Sequence, residues 1–361
     1  MEIAKSSRKS LHLPGEIIEE IQSRLPVKSL LRFRCVSKLW LSLIGSKRFI
    51  KTQYQNSIKN PFFPHQRVII HKDLSANHVQ CSLLSVLSEL TNTIPLSPLA
   101  DPINTTLSMG YEIVGSCNGL LCLRVRDEQS RIHLWNPSTR ISKKLPEISN
   151  RGYVMDLGFC WVESSNEYKL FVGLRNFDYY QQEIEWVCKV YSSKTKSWKT
   201  SEHCADLVLC CLPGVFAGGK LYWRYYGYKE IDIIFLDLKS EVIGRIELPF
   251  DHEFCRKQHW FVGVLGGLLC VLCHTDSSRE VVRVWVMKEE AWKRVATFAN
   301  LVELLQPPPL MAVGLKTEIS VNCGSILLVY DHGDNVFRSH EVCSGYRSHV
   351  YVESLVSPED L

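Results

Sequence analysis

Gly119-Leu120-Leu121-Cys122-Leu123, then Leu134-Trp135-Asn136-Pro137, is the stretch that decides the fold: one short apolar run opened by glycine, a second closed by a turn. Four more pairs share this texture. The first pieces are Tyr168-Lys169-Leu170-Phe171-Val172, Gly219-Lys220-Leu221-Tyr222-Trp223, Gly267-Leu268-Leu269-Cys270-Val271 and Gly324-Ser325-Ile326-Leu327-Leu328. Their second pieces are Val190-Tyr191-Ser192-Ser193, Phe235-Leu236-Asp237-Leu238, Val284-Trp285-Val286-Met287 and Val329-Tyr330-Asp331-His332. Short runs of apolar, aromatic and β-branched residues between turn residues read as strands. Aligning Asn136 with Ser192, Asp237, Val286 and Asp331 spaces the repeats by 56, 45, 49 and 45 residues. The last pair is crowded together, so that repeat is expected to be abbreviated.

Strand repeats of about 45–50 residues are the spacing of propeller blades. One blade cannot bury both of its faces, and neighbours stacked around an axis bury them together. A less regular opening blade is expected within residues 62–100, where Arg67-Val68-Ile69-Ile70-His71 and Gln80-Cys81-Ser82-Leu83-Leu84 read as strands. The expected fold is therefore mostly β with a small α module, carrying about six blades over residues 60–361. A pair of β-sandwiches is the competing architecture. Trp135, directly before the Asn136-Pro137 turn, is expected to be buried against the neighbouring blade.

Upstream the texture is helical. Pro14 suits a first helical turn, and Glu16, Glu19 and Glu20 favour the positive helix start. Ile17, Ile18, Ile21 and Leu25 make one apolar stripe, and Pro26 ends it. Val27, Leu30, Leu31 and Cys35 stripe a second helix; Ser37 caps a third with Trp40 and Leu43. Residues 48–54 offer a fourth, ended at Asn60-Pro61. Three short helices cannot hide this much apolar surface among themselves, so part of it should face a partner. A helical cap packed on its own domain would carry the same stripes.

Leu13-Pro14, Leu25-Pro26, Lys28-Ser29-Leu30, the run from Arg32 to Lys38, and Trp40 resemble the F-box. The sequence departs from that pattern at Gly15, Gln22 and Leu41. The later residues Gly115 to Cys122, Leu134 to Arg140, Leu145-Pro146, Gly158-Phe159, Ser197-Trp198, Gly218 to Trp223 and Tyr351 to Leu355 resemble the F-box-associated, kelch-like domain of plant F-box proteins. The block before Leu107 matches it poorly. The resemblance implies a polar tail at 1–11, an F-box helical domain at 12–56 and a kelch-like propeller at 60–361. It further implies a non-catalytic substrate receptor of a Skp–cullin–F-box ubiquitin ligase, docked on a Skp-type adaptor and through it a cullin, and gripping a target protein for degradation. Expected adaptor contacts are Leu13, Pro14, Ile17, Ile18, Ile21, Leu25, Pro26, Leu30, Leu31, Val36 and Trp40. Tyr and Arg anchor interfaces, so two segments are candidates for the target: Phe177, Tyr179 and Tyr180, and Arg224, Tyr225, Tyr226 and Tyr228. Packing of these aromatics between blades is the competing reading.

Composition narrows the rest. Hydrophobic residues are 45% and charged residues 22% of 361, ordinary globular usage, and the net charge of +4 makes no case for nucleic acid. No apolar run follows Met1 and none approaches a membrane span, so no membrane is expected and the compartment is read as cytoplasmic or nuclear. The fourteen cysteines are then expected to be reduced. Lys5, Arg8 and Lys9 read as a solvated tail.

No cofactor or metal is expected. Gly214 to Leu221 approaches a phosphate-binding loop, but Leu221 stands where Ser or Thr would hold magnesium and a strand follows; a tight turn between blades is the better reading. Cys270-Val271-Leu272-Cys273-His274 fits a haem attachment pattern or part of a zinc set, yet it alternates as a buried strand. Asn104-Thr105-Thr106 is a sequon that would be inert in the cytosol. Gln306 to Pro309 reads as a spacer. Competing functions are a kelch-type copper oxidase using His and Tyr ligands, a carbohydrate-binding propeller, and an F-box protein acting outside any ligase.

Overall fold

The computed structural model describes residues 13–59, 65–72, 78–82, 97–99, 102–103, 110–127, 129–148, 153–178, 183–201, 213–226, 231–250, 260–265, 267–274, 281–298, 310–312, 318–323, 326–331, 336–341 and 346–361. The sequon, the polyproline run, Tyr179, Tyr180 and Tyr228 lie outside them.

Four helices come first: α1 (Gly15–Ser23), α2 (Val27–Phe33), α3 (Lys38–Ile44) and α4 (Lys47–Lys59). Pro14 and Pro26 occupy the N-cap positions of α1 and α2, and the Ser37 hydroxyl accepts the Trp40 N–H at 3.1 Å at the start of α3. The expected three-helix module thus gains a full fourth helix, because nothing from Lys47 to Lys59 breaks it.

Every later element among the described residues is a strand, apart from a 3₁₀ turn at Pro358–Asp360. The strands form six sheets. Sheet B runs β4 (Tyr111–Cys117), β5 (Leu120–Val125), β6 (Ile132–Asn136), β7 (Ile141–Lys144); sheet C runs β8 (Tyr153–Val162), β9 (Glu167–Asp178), β10 (Glu183–Ser192), β11 (Ser197–Ser201). Sheet D holds β12 (Val215–Ala217), β13 (Lys220–Tyr226), β14 (Ile231–Asp237) and β15 (Ile243–Ile246). Sheet E holds β16 (Trp260–Leu265), β17 (Leu268–His274), β18 (Val282–Lys288) and β19 (Ala291–Phe298), with β20 (Leu310–Ala312) parallel to β16. Sheet F has β21 (Glu318–Cys323), β22 (Ile326–Asp331) and β23 (Val336–Glu341). Sheet A joins both ends of the chain: β1 (Gln66–Lys72), β2 (His78–Ser82) and β3 (Ser97–Leu99) are completed by β24 (Tyr346–Val352), which pairs with β1 from Gln66↔Val352 to Lys72↔Tyr346. The opening sheet looked irregular in sequence because one of its strands lies at the other end of the chain.

Period-two alternation stacks the sheets. Leu121, Leu123 and Trp135 pack with Ile69, Leu99 and Tyr351 of sheet A, whereas Leu120, Cys122 and Leu134 pack with Phe159, Leu170 and Val172 of sheet C. Further clusters join sheet C to D through Phe171 and Trp223, and sheet D to E through Ile233 and Trp260. Trp135 is 1% exposed at the boundary of sheets A and B, as its place in the repeat predicts.

The aligned positions Asn136, Ser192 and Asp237 build the same turn three times. Each side-chain oxygen accepts the backbone N–H groups two and three residues on, at 2.8 and 3.3, 3.2 and 3.3, and 2.9 and 3.1 Å. Each carbonyl then accepts the N–H four residues on, from Arg140, Lys196 and Glu241, all at 2.8 Å and all with positive φ. Val286 does not join this set. In sheet E the turn is the two-residue Glu289-Glu290 between Lys288 and Ala291. The fifth repeat also differs from expectation: Ile326 to Asp331 is one strand, and its partner β23 lies beyond it, with Asp331 opposite Val336. No turn residue interrupts that apolar run, so it cannot be split.

Gly218 and Gly219, with φ of +55° and +79°, join Ala217 to Lys220 in a two-residue hairpin inside sheet D, not between sheets. No helix follows, so no phosphate cradle forms. Leu269, Val271 and Cys273 share one face of β17 against sheet D, which puts Cys270 on the opposite face. The two cysteines therefore diverge, and burial pushes the Cys270 thiol far up.

Candidate interaction sites

The expected adaptor residues divide by exposure. Ile17 and Ile21, four apart on α1, are 47% and 50% exposed, and Leu13, just before the Pro14 N-cap, is 58% exposed; Pro14 and Val36 are exposed as well. Ile18, Leu25, Pro26, Leu31 and Trp40 are half-buried. Leu30 is fully buried beside Val27, Ile44 and Phe49. It holds the module's interior and offers no surface, because α2 points one face inward at both Val27 and Leu30.

Polar groups hold α1 on α4. The Asn56 amide donates to the Ser23 hydroxyl at 2.8 Å, and Arg48 reaches Glu19 at 2.8 Å. Gln22 of α1 and Gln53 of α4 are buried, and the Gln53 amide donates to the Ser57 hydroxyl at 3.0 Å. This leaves the aliphatic stripe of α1 facing outward. Leu39 and Leu41, absent from the expected set, are 75% and 51% exposed. Their signal was available: Lys38 to Ile44 is apolar at 39, 40, 41, 43 and 44, more than one inward face needs.

Among the candidate target residues that the structure describes, Phe177 and Arg224 to Tyr226 lie in strands. Phe177 lies in β9 opposite Ile184, and Tyr226 in β13 opposite Ile231. The Arg224 guanidinium sits 4.7 Å over the Trp260 ring and 5.4 Å from Phe261, and Arg245 lies 4.8 Å over Tyr225. Arg224 therefore cements sheet D to sheet E, which is the packing reading for this residue. The backbone placement still separates two faces. Tyr168, at the start of β9, lies beside Asn118 of sheet B, and Lys169 pairs with Glu241 at 3.3 Å. These contacts put the Asn118 hairpin and the Asn136, Ser192 and Asp237 turns at one end of sheets B, C and D. Tyr54 of α4 reaches the Asn118 backbone, so the helices are at that end too. The last residues of β9 and β13, Asp178 and Tyr226, lie at the other.

A recess of about 580 Å³ is lined by Lys143, Lys144, Leu145, Pro146, Glu147, Tyr191 and Lys196. Two of its lysines are engaged: Lys143 donates to the Leu361 carbonyl and Lys144 pairs with Glu147 at 2.8 Å. Among the described residues no group of three or more His, Cys, Asp or Glu is placed to hold a metal, and no helix is long and apolar enough to cross a membrane.

Residues 10–52 match the F-box domain, and residues 67–357 match the F-box associated beta propeller domain. The chain is 27% identical over 374 residues to the F-box/kelch-repeat protein At3g23880 of Arabidopsis thaliana, covering 97% of each. F-box protein CPR1 of the same plant is 27% identical over 395 residues, covering 95% of this chain and 88% of that one. The chain belongs to the F-box associated β-propeller family, with an F-box domain ahead of the propeller domain.

Proposed function

We propose that this protein is the substrate-recognition subunit of a Skp–cullin–F-box ubiquitin ligase, and that it performs no chemistry with its own side chains. The F-box, over about 12–56, docks on a Skp-type adaptor and through it a cullin. Residues 60–361 form a ring of six blades that holds a target protein for ubiquitination and proteasomal degradation, in the cytoplasm or the nucleus. The mechanism is proximity: a bound target meets the charged ubiquitin enzyme at high effective concentration.

The observation that carries this reading is the outward aliphatic row Leu13, Ile17 and Ile21, with Val36, Leu39 and Leu41, on a module whose inner face is already filled. Large exposed aliphatics in this number mark an interaction surface. The strand ends bearing Phe177 and Tyr226 lie away from the helices, which suits a receptor that holds its target on the far side. Ile17→Asp with Ile21→Asp should leave melting unchanged and weaken adaptor binding at least a hundredfold, since an unpaired charge buried in an apolar contact costs several kcal/mol. Leu30→Asp should instead unfold the module. Unchanged adaptor affinity in the folded Ile17/Ile21 variant refutes the docking surface.

A further inference from the structure

The inner core of the helical module is not made by helices alone. Val27, Leu30, Ile44 and Phe49 are fully buried, and the fifth buried member of their cluster is Leu355, from the other end of the chain. The segment bearing it is seated with unusual care. The Glu353 N–H donates to the His65 carbonyl at 2.7 Å, and the Glu353 carboxylate pairs with Arg67 at 2.7 Å. The buried Asn136 amide donates to the carbonyls of Ser354 at 3.0 Å and Val356 at 2.7 Å. At Gly119, φ is +79° and a Cβ would stand 2.3 Å from the Ser354 hydroxyl, so only glycine lets the segment lie this close. Val356 and Leu361 then pack on the cluster between sheets B and C.

We propose that residues 353–361 are a strap that completes the adaptor-docking module, so that its helices and sheets A and B order and respond as one cooperative unit. The strap continues directly from β24, which closes sheet A onto β1. Its backbone is thus fixed to the β domain while Leu355 fills the helical core. A small helical unit that borrows a core residue gains order only when the donor is in place. Any coupling is reciprocal: what steadies the helices also steadies the strap. The docking consequence rests on the function proposed above, whereas the folding consequence does not.

The test is hydrogen exchange on the full chain, with adaptor affinity measured by calorimetry in parallel. Leu355→Ala should speed exchange at least tenfold across residues 27–59, leave residues 220–237 unchanged, and weaken a recombinant Skp-type adaptor at least tenfold. Leu355→Val should act in the same direction by less, which covers the case in which the alanine variant does not fold. In wild type, bound adaptor should slow exchange over 353–357. Unchanged exchange over 27–59 in either folded variant overturns the strap, as does equal acceleration in sheet D. A wild type that never binds the adaptor would remove the docking function, and the exchange experiment would still decide the strap.

Discussion

Replacing Trp135 by alanine empties the boundary between sheets A and B. The side chain is 1% exposed, and its cluster draws Ile69, Leu99 and Tyr351 from the sheet that holds the two ends of the chain together. A buried tryptophan hides on the order of 200 Å², which at about 25 cal/mol per Å² is worth about 5 kcal/mol. Alanine keeps the Cβ share, leaving a loss of about 4 kcal/mol, inside the ~3–5 kcal/mol seen for such truncations. For a domain of this size, with an unfolding entropy of ~2.1 cal/mol/K per residue, that is a fall in melting temperature of about 6 °C. Trp135→Phe keeps a ring in the gap and should lose less than half as much. The assay is calorimetric melting of the purified full chain, with near-ultraviolet circular dichroism to check the aromatic packing. A single cooperative transition shifted by under about 2 °C would refute the stacking of sheets A and B around this residue.

Other expectations follow from local geometry. Glu290 has φ of +63° in the two-residue turn of sheet E, so Glu290→Gly should raise stability by about 1 kcal/mol in denaturant unfolding. Burial pushes the thiols of Cys81 to about 11 and Cys117 to about 12, whereas Cys35 is exposed. Iodoacetamide at pH 8 should therefore label Cys35 first and spare the other two until unfolding, read by peptide mass spectrometry. Burial holds His65 and His133 below the ordinary imidazole value of 6.5. The unfolded chain then takes up these protons first, so their contribution is whole above about pH 6.5 and is lost as the pH falls toward the folded values. Melting between pH 7 and 5.5 should fall in wild type and flatten when both are changed to glutamine.

Local chemistry made much of this protein readable. Asn136, Ser192 and Asp237 aligned in sequence because each can turn the chain with its own side-chain oxygen, and all three do so. Val286 aligned only by spacing; the turn of its sheet comes later, at Glu289-Glu290. The repeat spacing places Asp331 in a second strand, but an apolar run with no turn residue inside it has to stay a single strand. The prolines at 14 and 26 set helix starts for a reason confined to one residue's geometry.

The α1 stripe was visible as period, yet period alone does not say which apolar residues face inward. Leu30 and Ile17 are equally aliphatic. One is buried and the other half exposed because α4 meets α1 through Asn56 and Arg48, which turns the α1 stripe outward. Arg224 is an interface candidate by residue type, but Trp260 from another sheet lies under its guanidinium.

By itself, then, the sequence determined the strand texture of the repeats, the turns at Asn136, Ser192 and Asp237, and the starts of α1, α2 and α3, because each depends on side chains a few residues apart. Only the tertiary structure decided that β24 completes the first sheet, that Leu355 enters the helical core and that Leu39 and Leu41 stay outside. Those outcomes depend on which distant surfaces exclude water from one another, and no local pattern carries that information.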